Sequence, residues 1–228
     1  MKNINDICIV VQARLNSQRV PGKMLKPFAN TTLTDILFNK LKSLKNIPLK
    51  NIYFSAYEKE LKEVAKKHNI NIFNRSEQSA NSEGSPLSEI YEWHNKLPFK
   101  YVILISACNP LLKIKTINNF IESFIKSDKD GGFAVFEKKT YYWDKDNNPI
   151  TNWGDLRIMN TKFVEPIYEA AHCLYASKTD IIKDGFWMDT NLPPKPELFV
   201  MDELEAFDID YEWQFKIGEK LWKDGLQL

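Results

Sequence analysis

Short apolar segments alternate with amphipathic ones along most of this chain, and few folds accommodate that order. Residues 8–11 are apolar and β-branched and read as a buried first strand. Apolar residues at 33, 36, 37 and 41 give a helical stripe, and 51–55 reads as the second strand. A charged helix follows over 58–68, with Leu61, Val64 and Ala65 facing inward, then a third strand over 70–73. The stretch 75–86 is polar and aperiodic and reads as a surface loop, while 88–97 returns to helix. Residues 101–105 are the most apolar segment and belong at the centre of a sheet. A helix over 115–126 and strands over 132–136 and 173–177 complete the series. Alternation of this kind predicts an α/β chain with a doubly wound, mostly parallel sheet and helices on both faces. One domain over 1–228 suits that plan. The pattern breaks at about 138–160. There Tyr141, Tyr142 and Trp143, an Asp-Asn-Asn turn and Pro149 predict a projecting hairpin whose aromatics form a contact surface.

Composition narrows the function classes. The formal net charge is +1, so no global field draws nucleic acid or a membrane surface. No apolar run approaches the ~20 residues that span a bilayer, and the N-terminus has no apolar signal region. Cys8, Cys108 and Cys173 are odd in number and lack CxxC spacing, which suits reduced thiols, packed in the core, in a cytoplasmic protein. His68 and His94 read as surface groups on helices, and Trp187 and Trp213 as core or interface.

The first strand runs into a loop with three permanent cations, Arg14, Arg19 and Lys23. Such a loop occupies the ligand-binding edge of an α/β sheet. Cations crowded there repel one another unless an anion joins them, and guanidinium forks match phosphate oxygens. Residues 12–23 resemble the signature loop of the CMP-sialic acid synthetase (acylneuraminate cytidylyltransferase) family. Ala13, Arg14, Ser17, Arg19, Pro21, Gly22 and Lys23 fit its register, while Gln12 and Leu15 bring the loop nearer a spore-coat polysaccharide variant.

A second motif, Asp208-Ile209-Asp210, places two carboxylates on one face of an extended segment. Two such carboxylates suit a hard divalent cation, and the plainer alternative is Asp210 capping a helix over 211–222. The resembled family carries the same Asp-Ile-Asp as its metal site. Gln214 stands where that family often has a further Asp.

A third match follows the central strand, where Pro110 and Leu111 align but Ser106 replaces a sugar-facing glutamine. Further departures at Ala56, Met24 and Ala171-His172 imply a different acceptor. Candidate acceptor groups are Ser106, Lys138 and His172, with Lys139 beside Lys138, while Arg75 after the third strand stands where it could reach the nucleotide or the sugar.

The resemblance implies a Rossmann-like nucleotidyltransferase fold and a cytidylyltransferase that transfers CMP from CTP to an acidic sugar or related acidic acceptor. Pyrophosphate would leave, and the product would serve surface glycan synthesis. Ala13, Arg14, Leu15, Asn16, Ser17, Arg19 and Lys23 would bind the nucleotide, with Arg14 and Lys23 catalytic and N–H groups of 15–17 cradling phosphate. Asp208 and Asp210 would hold Mg²⁺, and two copies would pair through the hairpin. The alternatives are a nucleotidyltransferase or glycosyltransferase using another nucleotide, or a nucleotide-binding homologue without catalysis.

Overall fold

The computed structural model describes residues 1–81, 85–183 and 195–226. Seven strands form one sheet: β1 (Ile7–Gln12), β2 (Ile52–Ala56), β3 (Asn71–Asn74), β4 (Tyr101–Ile105), β5 (Gly131–Lys138), β6 (Ile167–Lys178) and β7 (Glu197–Val200). Their order is β3-β2-β1-β4-β6-β5-β7. Among the described strands only β6 runs antiparallel to its neighbours. The chain winds outward from β1 to β3, then returns to β4 on the other side of β1. That reversal opens a crevice at the carboxyl ends of β1 and β4, the usual ligand position in open α/β sheets.

Helices α1 (Leu33–Lys42), α2 (Lys59–Lys67), α3 (Glu77–Ala80), α4 (Leu87–Ile90), α5 (Ile114–Lys126), α6 (Thr179–Lys183) and α7 (Glu212–Lys223) link the strands or cover the sheet. The two-residue strand period divides β1 between two cores. Ile7, Ile9 and Val11 enter the larger core with Phe38, Leu61, Phe120 and Phe215. Cys8 and Val10 enter a smaller one with Trp93, Val102, Leu104 and Ile182. Both faces are therefore covered, and β4 is buried along its whole length, as its composition requires. Phe38 and Phe54 meet edge to face at 4.9 Å, and truncating either to Ala would cost about 3–5 kcal/mol. No helix among the described residues is long and apolar enough to cross a membrane.

Several local expectations change. The stretch 75–86 contains the single turn α3, whose N-cap Ser76 accepts from the Ser79 N–H. The helix expected over 88–97 splits at Tyr91 into α4 and a 3-10 turn, Glu92–Asn95, which inserts Trp93 into the smaller core. His68 and His94 are buried, not surface groups. His68 Nε2 lies 2.6 Å from Asp35, and burial lowers the His94 pKa. Trp213 is 57% exposed on α7 and is no core residue, and Trp187 lies outside the described residues.

The expected hairpin is a loop with a single bridge, Trp143 to Pro149. Its turn closes through Asp144 N–H to the Asn148 carbonyl at 2.9 Å, with Asn147 in the left-handed region at φ 67°. The Tyr142 N–H goes to Thr151 Oγ1 at 3.3 Å instead of the Ile150 carbonyl, so the ladder stops at that bridge. The rings of Tyr141, Trp143 and Trp153 cluster beside it. Leu156, Met159 and Phe163 further along are strongly exposed.

Candidate active site

The loop after β1 is shaped by its own sequence. Val20 and Met24 are buried and anchor it to the larger core. Between them the Lys23 N–H donates to the Val20 carbonyl at 3.2 Å, closing a turn with Pro21 second and Gly22 third. Gly22 has φ 63°, the left-handed conformation a type II turn demands at that position. This turn carries Lys23 across to the C-terminal segment. Its Nζ donates to the Ile209 carbonyl at 2.6 Å and lies 3.4 Å from Asp210 Oδ1. Arg19 reaches the same carboxylate oxygen at 2.8 Å and stacks over the Tyr211 ring at 5.1 Å. The anion that gathers these cations here is Asp210 itself.

Ile209 is fully buried while its two acidic neighbours are not, so both carboxylates face the same side of the segment. The Asp208 carboxyl is held above the usual carboxylate range, first by burial and then by the charge of Asp210. Its Oδ1 is buried without a hydrogen-bond partner. The helix-capping alternative for Asp210 fails. Tyr211 occupies the N-cap of α7, and Gln214 Oε1 accepts from the N–H groups of Asp210 and Tyr211 at 2.8 and 2.7 Å.

A cleft of about 630 Å³ opens in front of the loop, lined by Ala13, Arg14, Ser17, Arg19 and Lys23 among others. Arg75, following β3, also lines it, although it is only 6% exposed. Its Nε donates to Ser79 Oγ at 2.9 Å, and no carboxylate stands within ion-pair distance of it among the described residues. Burial first, and then the charge of neighbouring Arg14, lower its pKa to about 10. Among the described residues neither guanidinium has a paired carboxylate, and both face one cavity, an arrangement that suits an anion. The sequence signal for Arg75 was its position after β3. Cys108 is also on the cleft wall, half-buried, whereas Cys8 and Cys173 are in the core.

Two expected loop residues face elsewhere. Leu15 and Asn16 line a second hollow with Asn81, which shares Arg14 and Ser17 with the cleft. The Leu15 N–H donates to Glu58 Oε1 at 2.7 Å and that of Ser17 to the Leu15 carbonyl at 2.8 Å. The expected phosphate cradle of N–H groups is thus spent within the protein at two of its three positions.

The acceptor candidates do not converge. Ser106 Oγ, just after β4, accepts from the Cys108 N–H at 3.1 Å. Lys138, at the end of β5, is ion-paired with Glu203 and lies 4.0 Å from Glu169. His172 is exposed on β6, with Nδ1 3.2 Å from the Tyr175 hydroxyl. It sits on a bulge, since Phe133 pairs with Tyr175 but Val135 pairs with Ala170. Its φ of 52° is left-handed, unusual for a side chain of this size. Neither Lys138 nor His172 lines the cleft.

Comparison with known proteins fits this geometry. Residues 7–183 match the family model described as Cytidylyltransferase. The chain belongs to that family and is a CTP-dependent nucleotidyltransferase. The Post-translational flagellin modification protein B of Campylobacter coli is 22% identical over 97% of each chain. The Spore coat polysaccharide biosynthesis protein SpsF of Bacillus subtilis (strain 168) is 32% identical over 69 residues, 29% of each chain. Among solved structures, CMP:2-keto-3-deoxy-manno-octonic acid synthetase complexed with CTP superposes with a TM-score of 0.69 at 9% identity. That match covers 96% of this chain and 99% of the other. The 4-diphosphocytidyl-2C-methyl-D-erythritolsynthase of Anaerococcus prevotii DSM 20548 gives 0.66 at 11% identity, over 95% and 96% of the two chains. These low identities speak for the shared fold alone.

Proposed function

We propose that the chain transfers CMP from CTP to an acidic sugar or a related acidic acceptor, with release of pyrophosphate, for the synthesis of a surface glycan. The observation that carries this reading is the convergence of Arg14, Arg19, Lys23 and Arg75 on one cleft at the β1/β4 crevice, with Asp208 and Asp210 at its side. Relatives named for flagellin modification and spore coat polysaccharide biosynthesis support the destination of the product. The CMP-octonic acid synthetase neighbour supports an acidic sugar as the acceptor class. The resemblance to acylneuraminate cytidylyltransferases extends to the nucleotide loop and the Asp208-Ile209-Asp210 motif and not to the acceptor residues.

In this mechanism an acceptor oxygen forms a bond to the α-phosphorus of CTP while the bond from that phosphorus to the β-phosphate bridging oxygen breaks. Such a step needs positioning and charge stabilisation more than covalent help from the protein. Arg14 and Arg75 bind phosphate oxygens without giving up an ion pair to any described residue. Arg19 and Lys23 exchange the Asp210 carboxylate for phosphate, so the triphosphate replaces an internal anion.

Homologous cytidylyltransferases generally use a divalent metal. Among the described residues no group of three or more His, Cys, Asp or Glu is placed to hold one. Two carboxylates suffice for Mg²⁺ when nucleotide phosphates and water complete the shell. Asp208 fits that part, because its buried, unpartnered oxygen faces the same side as Asp210. Asp208 and Asp210 would hold the ion, which polarises the α-phosphate when bound.

Two copies of the chain would associate through the aromatic loop around Trp143 and the exposed apolar residues that follow it. Turnover of the four nucleoside triphosphates, followed by pyrophosphate release over a panel of sugar acids, tests the assignment. Pyrophosphate from CTP alone supports it. Release from another triphosphate would indicate another base, and CTP binding without turnover on any acceptor would indicate a non-catalytic homologue.

A further inference from the structure

One wall of the cleft presents a donor that phosphate binding does not use. Gln12 ends β1 and lines the cleft immediately before Ala13 and Arg14. Its side-chain oxygen accepts from the indole Nε1–H of Trp93 at 2.9 Å and from the Ser55 hydroxyl at 3.3 Å. Trp93 and Ser55 are both buried, and an indole nitrogen can only donate. The amide therefore has one orientation, with its oxygen turned to Trp93 and both lone pairs occupied. Among the described residues nothing accepts from its nitrogen. What Gln12 offers the cleft is a pair of N–H donors.

Gln12 is uncharged, and it shares the cleft lining with the apolar side chain of Ile90. Phosphates are drawn to the cations instead. A neutral donor pair beside an apolar side chain suits the acceptor edge of a heterocycle. From this geometry we infer that Gln12 is a specificity-determining residue for the base, donating to the O2 and N3 acceptors of cytosine, with Trp93 and Ser55 as positioning residues. The inference rests on the reading of the cleft as a CTP site. Uracil shares O2 with cytosine but carries N–H at position 3. The Gln12 amide would meet that group donor to donor, leaving two desolvated donors without acceptors. Gln12 would turn against uracil because Trp93 holds its amide and prevents a compensating flip.

Titration calorimetry of CTP and UTP against the full chain tests this. The unaltered protein is expected to prefer CTP by at least about tenfold. Gln12→Glu keeps the size of the side chain and replaces donors by acceptors. It is expected to lose about tenfold on CTP and to abolish the preference. Gln12→Met removes the donors without adding charge and serves if the glutamate variant misfolds. Trp93→Phe retains a ring but frees the amide, and should reduce the preference a few-fold. A purely structural role for Gln12 would weaken both nucleotides alike, and that result overturns the inference. If the unaltered protein prefers CTP and both Gln12 variants keep that preference, the inference falls and the CTP reading stands. If the unaltered protein binds the two nucleotides equally, both fall together.

Discussion

The loop after β1 and the three strand positions named for the acceptor differ in how their polar groups are committed. In the loop, five of the seven predicted residues line one cleft, and its cations are either without a paired carboxylate or held by a carboxylate that another anion can replace. At the strand positions each group already has a local partner: Cys108 N–H for Ser106, Glu203 for Lys138 and Tyr175 for His172. A contiguous loop with a fixed turn carries its geometry in its sequence. Groups from separate strands depend on bulges and partners that lie far along the chain.

The sharpest way to break this contrast is at the loop cations. Arg14→Ala should lower kcat/KM with CTP by about 100-fold or more, because a charge-stabilising donor at the transition state is worth on the order of 3 kcal/mol. Its melting temperature should hardly move, since the side chain makes one long hydrogen bond, 3.4 Å to the Ala80 carbonyl. Lys23→Ala should lose as much activity and some stability as well, because Lys23 also ties the loop to Ile209. Wild-type kcat/KM in either variant would remove the phosphate assignment.

Asp208→Asn and Asp210→Asn come next, with roughly tenfold to hundredfold losses of rate, or about 1.4–3 kcal/mol. Circular dichroism should stay native-like, since Gln214 rather than Asp210 caps α7. The raised Asp208 pKa gives this prediction a pH signature. Its charge is complete only above the ordinary carboxylate range, so the acid limb of the rate profile should lie higher than that of a free carboxylate. Stability has the opposite sense. The folded state keeps the proton longer than the unfolded one, so stability should fall as pH rises from the unfolded pKa through the raised folded one. Asp208→Asn should abolish both effects. Full turnover of the unaltered protein in EDTA would remove the metal role.

At the strand positions, smaller effects sharpen the comparison. His172→Gly should be neutral or slightly stabilising, since glycine relieves about 1 kcal/mol of left-handed strain. If the imidazole binds the acceptor, His172→Gly and His172→Ala will both raise the acceptor KM. If only the bulge matters, the glycine variant will keep it. Lys138→Ala is expected to change kcat/KM by no more than roughly twofold. A large rise in acceptor KM would mean that Lys138 leaves Glu203 when the acceptor arrives. Sedimentation at micromolar concentration should give twice the 26.6 kDa chain mass, and Trp143→Ala should leave the rate per site nearly unchanged in any dimer that remains.

Much of the sheet was legible because a fully apolar β4 and the inward residues of α1, α2 and α5 state their burial directly. The reversed β6 was not, since an antiparallel strand buried among parallel ones has no distinct local pattern. The bulge at His172 was hidden for the same reason. In the site, Pro21-Gly22-Lys23 announced a turn, and Asp208-Ile209-Asp210 announced its shared face through the burial of Ile209. Glu58 taking the Leu15 N–H and Trp93 orienting Gln12 were invisible, because the partners are 43 and 81 residues apart. Side-chain types alone do not reveal which donors are already spent.

The Lys23–Ile209 bond spans 186 residues, and its consequence concerns how the protein is made. Every strand of the sheet, β1 to β7, precedes the Asp208–Asp210 segment in the chain. A ribosome delivers the cationic loop ahead of the later strands and its carboxylate wall only after all of them. Closing so long a loop adds an entropy cost that pairing of the sheet offsets. The nascent chain can therefore assemble its sheet before it has a complete site, while Ile209 and Phe215 join the larger core only afterwards. A nascent chain halted ahead of Asp208 would expose Arg19 and Lys23, and it would be the form most prone to stray polyanions.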